Sequence, residues 1–304
     1  MWFKNLNTFR LTEKFPFDAE TLAEKLATMA FQPCAGQQAF SFGWTTPLGK
    51  GAEAFVHSCN GFLMICAKKE ERVLPSSVVN EMLQERIEEI EEREGRKLSR
   101  KAKTELKDNL IFELLPRAFT FSSVSYAYID TQNGFIIIDS ASSKKSEDLL
   151  SALRKTLGGL PAIPLNTVEN PVLTMTHWLL HQNSPAEIII EDECELRSPE
   201  EDGGIIRCKR HDLTLPEIKN HLDSGKQVIK LALTWENRLS FILDEHLIVK
   251  RLKFLDLIQD QINETQASTF EEQFDADFSI MTAELAQFLP RLLNIFGGEN
   301  HTSP

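Results

Sequence analysis

The sequence predicts an α+β protein built from antiparallel sheets with a projecting helical arm. Two alternating apolar segments turn on Asn-Gly pairs, Asn60–Gly61 and Asn133–Gly134, which are strong short-range signals for β-hairpins. Between them lies a charged segment, residues 76–115, whose apolar residues recur at helical spacing. We therefore expect the strands on either side to share one sheet, into which the arm is inserted.

The arm is predicted to be a helical hairpin whose charge changes sign near Gly95. Before this glycine the segment is acidic and carries an apolar seam at Val79, Leu83, Ile87 and Ile90. The second half is basic and has its own seam at Leu98, Ala102, Leu106, Leu110 and Leu114. Gly95 should end the first helix, Ser99 should cap the second, and Pro116 should stop it.

A basic and apolar cluster, LLPRAF at residues 114–119, follows the second helix. We expect it at the tip of the arm, available to a partner, because each helix would extend about 25–30 Å. Arg117 offers a rigid donor fork and Phe119 an apolar anchor. Core packing beside the proline, and a merely solvated pair of helices, remain the alternatives.

The remaining elements follow in chain order. The opening segment alternates as a strand, Asp18 should cap the next helix, and residues 146–157 should form a helix ended by Gly158. The second half holds strands near residues 187–196, 204–210, 227–235, 238–243 and 247–253. Thr214 and Glu217 are spaced as a capping box, and Pro290 should kink or break a final helix that begins near Asp277.

Composition indicates a soluble globular protein, with 42% hydrophobic and 26% charged residues among 304. The first residues lack the order of a secretory signal, so a cytoplasmic protein is expected, with no membrane association. The five cysteines include no C-x-x-C pair, which favours buried, reduced thiols. The net charge of −12 argues against nucleic acid only if its distribution is ignored. Since basic groups cluster apart from the acidic residues 187–202, we expect an acidic outer and a basic inner surface.

Motifs for catalysis are weak, and no cofactor or metal is expected. The stretch Gly43–Gly51 resembles a phosphate loop, but its spacing is one residue too long. His177 and His181 share a helical face without a third ligand, and exposed histidines are the favoured interpretation. Asp275 and Asp277 could hold magnesium for nuclease chemistry, although carboxylates at a helix start more often balance its dipole.

Eight ordered stretches carry a resemblance to a known family over the whole chain. They are WFKNL, LLPRAF, IDTQNG, KKSEDLLSALRK, EDGGIIRCK, KLALTW, VKRLKF and FDADFSIMT. Together they resemble RdgC, the recombination-associated DNA-binding family of proteobacteria. The resemblance implies a horseshoe-shaped α+β monomer that pairs through two contacts, a gate and a hinge, into a ring around duplex DNA.

The resemblance also implies function. It predicts a nucleoid-associated homodimer that binds duplex DNA, and single strands more weakly, without sequence preference. It further implies antagonism of RecA-promoted recombination without catalytic activity. On this basis we expect a central sheet domain at residues 1–75 and 116–165, a helical tip at residues 76–115, and a base domain at residues 166–304.

The matching motifs also suggest roles for individual residues. Arg117 and Phe119 fall in the motif that the family uses at the gate contact between arm tips, and Arg210 and His211 fall in the basic segment that lines the hole. His211 departs from the family pattern, which has a longer uncharged polar side chain there. Basic residues in several clusters are further candidates for phosphate contacts. These are Lys144, Lys145, Arg154, Lys155, Lys209, Lys250, Arg251 and Lys253.

The sequence is also compatible with two other functions. The first is a magnesium-dependent nuclease that uses Asp275 and Asp277. The second is an adaptor that contacts the recombinase directly through an acidic surface.

Overall fold

Two antiparallel sheets organise the described part of the chain. The computed structural model describes residues 1–49, 51–200, 203–256, 258 and 269–300. The strands of the first sheet are β1 (Asn7–Leu11), β2 (Phe40–Thr45), β3 (Val56–Cys59), β4 (Phe62–Val73), β5 (Phe119–Asp130), β6 (Phe135–Ile138) and β7 (Ala162–Pro164). They are ordered β2-β4-β5-β6-β1-β7, with β3 also paired to β4.

The second sheet is formed by the C-terminal half. Its strands are β8 (Ile188–Arg197), β9 (Ile205–Lys209), β10 (Gln227–Trp235), β11 (Leu239–Asp244) and β12 (Val249–Phe254), ordered β12-β11-β10-β8-β9. The helices are α1 (Ala19–Ala27), α2 (Ser76–Glu94), α3 (Arg100–Leu114), α4 (Ser143–Leu157), α5 (Pro171–His181), α6 (Pro216–Asp223) and α7 (Phe270–Ile295). The predicted α+β class with antiparallel sheets is therefore confirmed. In the described residues, no helix has the length and apolar character needed to cross a bilayer.

Both predicted Asn-Gly hairpins are present. Asn60 and Gly61 have φ values of 50° and 84°, as a type I′ turn between β3 and β4 requires. The β5–β6 turn ends on Gly134 at φ 71°, and the Asp130 side chain accepts the Asn133 backbone N–H at 2.8 Å. β4 and β5 pair from Phe62–Asp130 to Val73–Phe119, so the arm is inserted into one sheet as predicted.

The arm is the predicted helical hairpin. Gly95 ends α2 in the left-handed region at φ 67°, and the side chain of Ser99 caps α3 by accepting the N–H of Ala102. Val79 and Ile87 from α2 and Leu110 from α3 are buried in the predicted seam. Since the seam residues are apolar and the outward positions charged, each helix is held mainly by its neighbour.

The position of LLPRAF differs from the prediction. These residues end α3 and form a 3-10 turn at Leu115–Arg117 that leads directly into β5. They therefore lie at the root of the arm, where it rejoins the ribbon formed by β4 and β5. The far end of the arm is the connection from Gly95 to Ser99. The prediction was wrong because a helical hairpin inserted into a sheet begins and ends beside that sheet, so the residues that follow its second helix lie at the root and not at the far end.

The first sheet is covered on both faces. Successive residues of a strand point to opposite faces, so Leu63 and Ile65 pack with Leu22 of α1 and Leu149 of α4. Phe62 and Met64, on the other face, belong to the core cluster that contains the buried residues of α7. As predicted, the Asp18 side chain caps α1 by accepting the Thr21 N–H at 2.8 Å.

The second sheet joins that same core through one of its faces. Leu231, Leu233 and Trp235 from β10 lie in one cluster with Met175 of α5 and Phe288 of α7. α7 therefore contributes to a core shared by both sheets. The opposite face of the second sheet carries polar side chains, which form the site described below.

The start of α6 differs from the prediction. Thr214 does not form a capping box with Glu217, because its backbone N–H and hydroxyl both donate to Asp212. Instead, α6 begins at Pro216. Leu215, the residue before it, occupies the N-cap position without forming a side-chain hydrogen bond.

The final helix starts earlier than predicted. The side chain of Thr269 and Glu272 form a capping box at the start of α7, and the helix continues through Pro290 to Ile295. Phe288 and Leu292, on either side of the proline, are buried in the core. This burial offsets the cost of the missing backbone hydrogen bond.

Candidate nucleic-acid interface

The open face of the second sheet carries cations and carboxylates on neighbouring strands. On β8, Glu193 and Glu195 alternate with Cys194 and Leu196, which are buried in the core. On β9, Lys209 lies opposite Glu193 and Arg207 lies opposite Glu195. Directly opposed residues share a face, so cationic and anionic rows run side by side. We call this surface the open face.

Each of the two carboxylates contacts cations from two directions. Glu195 Oε2 accepts a hydrogen bond from Arg207 Nε at 2.9 Å, and the same oxygen lies 3.1 Å from Nζ of Lys230 on β10. Glu193 contacts the guanidinium of Arg251 and lies 3.8 Å from Lys209 Nζ. The expected separation of an acidic outer from a basic inner surface is therefore absent here, because both signs alternate across one sheet.

Backbone irregularities place two arginines at the edge of this surface. The pairing of β11 with β12 shifts between Ser240 and Ile242, which inserts an extra residue into β12. Arg251 lies in this bulge at φ 51°, and its side chain reaches Glu193 on β8. Arg210, just after β9, has φ 52°. Bulges and left-handed non-glycine residues are often found where a side chain must be re-aimed for function.

The electrostatics of the open face favour the ionised form of Glu195. Burial raises the pKa of Glu195, but hydrogen bonds from Arg207 and Lys230 outweigh it and hold the pKa below its usual value. Its side chain is 12% exposed. At neutral pH the carboxylate is therefore charged, and it neutralises part of the cationic field.

Cations from β9, β10 and β12 line a cavity of about 490 Å³ on the open face. Lys209, Lys250 and Arg251 were predicted from the sequence as DNA contacts. Arg207 and Lys230 also line the cavity but were not among the predicted residues. Arg207 could have been found, because it is two residues before Lys209 on a strand and so shares its face. Lys230 could not, because its place depends on the pairing of β10 with β8.

Lys250 and the predicted DNA-contact residues of the second sheet that do not line this cavity have different surroundings. Lys250 lies 2.6 Å from the carboxylate of Asp244, and its side chain is mostly buried. Arg210 and Lys253 are exposed. His211 Nε2 lies 2.5 Å from Glu217 of α6, which gives this ring an acidic neighbour.

The predicted cations of α4 lie on the first sheet, apart from the open face. Lys144, Lys145 and Lys155 are exposed, and Lys145 lines a separate cavity of about 370 Å³ between α4 and the ribbon. Arg154 donates from Nη2 to the carbonyl of Ala162 at 2.7 Å and from Nε to that of Leu160. Its guanidinium therefore holds the connection from α4 to β7, a structural role that the charge pattern did not reveal.

The root of the arm exposes an apolar surface. Phe119 is 87% exposed and Arg117 is also exposed. Phe121 follows on the same side of β5, and both it and Phe40 of β2 lie opposite Glu71 of β4. Phe40 and Phe121 are largely exposed as well. An apolar surface of this kind is typical of a protein contact.

Comparison with known proteins identifies the family. The chain matches the family model described as "Putative exonuclease, RdgC" over residues 1–299. It is 47% identical over 300 residues to the recombination-associated protein RdgC of Pseudomonas entomophila, covering 98% of each chain. It is 46% identical over 299 residues to the protein of that name from Tolumonas auensis, covering 98% of this chain and 99% of the relative. The relative from Aeromonas hydrophila is 46% identical over 302 residues, covering 99% and 100%.

The chain belongs to the RdgC family. The predicted resemblance is thereby confirmed over nearly the whole chain. The names of its relatives associate the RdgC family with recombination. The description of the family model adds the word exonuclease, which makes the surroundings of the two candidate metal ligands relevant.

Asp275 and Asp277, the candidate metal ligands in this RdgC chain, have separate structural partners. Asp277 lies 2.6 Å from the amino group of Met1 and also accepts from Gln273. Asp275 Oδ1 lies 3.1 Å from His57 Nε2 on β3, without hydrogen-bond geometry. Two residues apart on a helix, they point in different directions. Among the described residues, no cluster of three or more histidines, cysteines or carboxylates could hold a metal ion.

His177 and His181 are exposed on α5, as predicted, with ring centroids 4.5 Å apart. The five cysteines are free thiols, as predicted, but the predicted burial is confirmed only for Cys66 and Cys194 and is wrong for the other three, which are partly exposed. Lys50, within the stretch that resembles a phosphate loop, lies outside the described residues.

Proposed function

We propose that this protein binds duplex DNA without sequence preference, and that it acts as a homodimeric ring that limits RecA-promoted recombination. The observation that carries the proposal is the convergence of Arg207, Lys209, Lys230 and Arg251 on one sheet face in a member of a recombination-associated family. Lysine and arginine on an open surface suit phosphate oxygens, and phosphate contacts carry no sequence information. Single strands would bind more weakly, and the protein would be found on the nucleoid.

The ring needs two contacts between protomers, and the root of the arm is proposed as the gate. Phe119 offers an exposed aromatic anchor, and Arg117, two residues earlier, offers an exposed guanidinium. Aromatic residues and arginine are the side chains that most often dominate protein interfaces. In two-fold symmetry the same patch serves both protomers, so each cationic surface appears twice around one hole. The hinge would be supplied by the base domain.

The proposed division of the protomer follows from these roles. Residues 1–75 with 116–165 would form the central sheet domain, residues 76–115 the helical tip, and residues 166–304 the base domain. The central domain then presents the gate at its junction with the tip, while the base carries the cations that face DNA. A ring closed on the duplex would obstruct homologous pairing by the recombinase without contacting it.

The test is the affinity for duplex DNA as a function of salt, on linear DNA with free ends and on a covalently closed circle, beside sedimentation of the free protein. We expect a dimer, a steep salt dependence, and complexes that escape from free ends but persist on circles. A flat salt dependence, or a monomer that does not bind, would contradict the ring. Inhibition of the recombinase that persists in a large excess of DNA would instead favour a direct adaptor.

Cleavage is tested separately, because the family description includes that activity. We expect DNA incubated with the protein and magnesium to remain intact, since Asp275 and Asp277 have other partners. Cleavage that disappears in Asp275→Asn would contradict binding without catalysis.

A further inference from the structure

Glu193 and Glu195 contact the cations of the open face that would otherwise be available to phosphate oxygens. Each is contacted by a cation on β9 and by a second cation from another strand, Lys230 for Glu195 and Arg251 for Glu193. Their side chains are 23% and 12% exposed, respectively, so they lie within the surface between the longer cations. A ligand that approaches this surface meets cations that already have an anionic partner.

Carboxylate and phosphate compete for the same donors. Both are anions that form charge-assisted hydrogen bonds with guanidinium and ammonium groups. A lysine or arginine of the open face must therefore leave its carboxylate, or share it with a phosphate that the carboxylate repels. Either event subtracts from the free energy gained on binding DNA.

We propose that Glu193 and Glu195 are internal competitors of DNA phosphates, which hold the cations of the open face in the DNA-free protein and thereby limit its affinity for DNA. The inference rests on the proposed function, since it assigns a role to two residues of the same surface. It explains why a protein with a DNA-binding surface places a row of carboxylates between rows of cations.

Asp244, the other carboxylate beside these cations, does not share this role. It is 4% exposed and accepts the backbone N–H groups of His246 and Ile248 through Oδ1. It therefore shapes the turn between β11 and β12, with Lys250 as its ionic partner. We expect its neutralisation to affect folding rather than DNA affinity alone.

The experiment measures the affinity of Glu193→Gln and Glu195→Gln for a duplex of fixed length across a salt series. Glutamine keeps the shape and one acceptor oxygen but removes the charge. Each variant should bind about two- to fivefold more tightly than the parent at about 0.1 M salt, the range given by exposed ion pairs. The slope against log salt should stay constant, because the same phosphates are contacted.

Glu236→Gln is the matched control. Glu236 pairs with Arg291 at 2.7 Å in the turn between β10 and β11, and its replacement changes the net charge by the same amount. We expect its affinity to equal that of the parent. An equal gain in this control would overturn the inference, because it would show an effect of overall charge.

The outcomes separate the inference from the function on which it rests. If the parent binds steeply with salt but neither glutamine variant binds more tightly, the competitor role is wrong and the DNA-binding function stands. If the parent does not bind DNA, the proposed function fails and the inference fails with it. Because the two carboxylates are tested independently, a folding defect in one variant leaves the other to decide. The effect of Glu193→Gln is also measured in a background in which Lys209 and Arg251 are replaced by alanine. A gain in affinity in the parent that is absent in this background would support the inference further.

Discussion

Phe119 on β5 lies directly opposite Val73 on β4, in the last residue pair of the ribbon before the helical arm. The two side chains are 87% and 48% exposed. Cross-strand neighbours on one face form a continuous surface, so this pair places an apolar patch at the junction of sheet and arm. Neither residue contributes much to the core of the protomer.

The first prediction concerns this pair and the dimer. Phe119→Ala should weaken association about tenfold or more while the unfolding free energy changes by less than about 0.5 kcal/mol, as for other exposed substitutions. Sedimentation over a range of concentrations measures the first effect and urea unfolding the second. Phe270→Ala, which removes an exposed ring on α7 instead, is the control. An unchanged dimer in Phe119→Ala and in Arg117→Ala would remove the root of the arm from the gate.

The second prediction distinguishes two paths for DNA. Replacing Lys209 and Arg210 by alanine should reduce the slope of log affinity against log salt by about 0.9 for each phosphate that the protein no longer neutralises. The matched control is the double replacement of Lys144 and Lys155 on α4, which removes the same charge from a different sheet. If the control lowers the slope and the first variant does not, DNA runs over α4 rather than over the open face.

The third prediction concerns pH and the far end of the arm. A hydrogen bond from Lys97, followed by one from the backbone N–H of Leu98, lowers the pKa of Glu91 from 4.5 to about 2. A carboxyl group whose pKa is lowered by folding stabilises the folded state above its ordinary pKa, and this stabilisation is lost as the pH falls through the folded value. The connection between α2 and α3 should therefore loosen between about pH 4.5 and 2.

Hydrogen exchange of the Leu98 amide, corrected for its intrinsic rate, measures this loosening. In Glu91→Ala, which removes the acceptor of the Leu98 N–H, the protection should already be low at neutral pH. Glu88→Ala is the control, because the Glu88 carboxylate accepts a hydrogen bond from the Gln84 side chain on α2 and not from Leu98, and it should behave as the parent. Protection at Leu98 that persists in Glu91→Ala would show that the αα-hairpin is held by its apolar seam alone.

The fourth prediction concerns an ion pair beneath the second sheet whose carboxylate is buried and whose guanidinium is partly exposed. Arg238, between β10 and β11, donates from Nε to Glu284 of α7 at 2.6 Å, and Glu284 is 3% exposed. Arg238→Met leaves a buried carboxylate without this partner and should cost about 3–5 kcal/mol of unfolding free energy. Replacing both residues by methionine should cost less than the single change, because no charge is then left buried. Urea unfolding measures the free energy of unfolding of the parent and of the two variants. A double variant that is as unstable as Arg238→Met would contradict this account.

The local elements and the family could both be predicted from the amino-acid sequence. Asn-Gly turns, the αL glycine at Gly95 and the Ser99 cap each depend on a few neighbouring residues, so their predictions were confirmed. The alternation of polar and apolar residues along β8 and β9 likewise predicts that one face of these strands is polar. The ordered motifs were sufficient for the family, because they extend over nearly the whole chain.

Which cations lie together on the open face, and which have other roles, depends on the three-dimensional fold. Arg251 reaches Glu193 because a bulge in β12 re-aims it, and Lys230 joins the open face because β10 pairs with β8. Arg154 has the same charge pattern as the other candidates, yet it is bound to carbonyl groups after α4. The physical reason is that the surroundings of a charged side chain depend on long-range strand pairing. Such pairing is settled by the burial of the whole core and not by the residues adjacent in sequence.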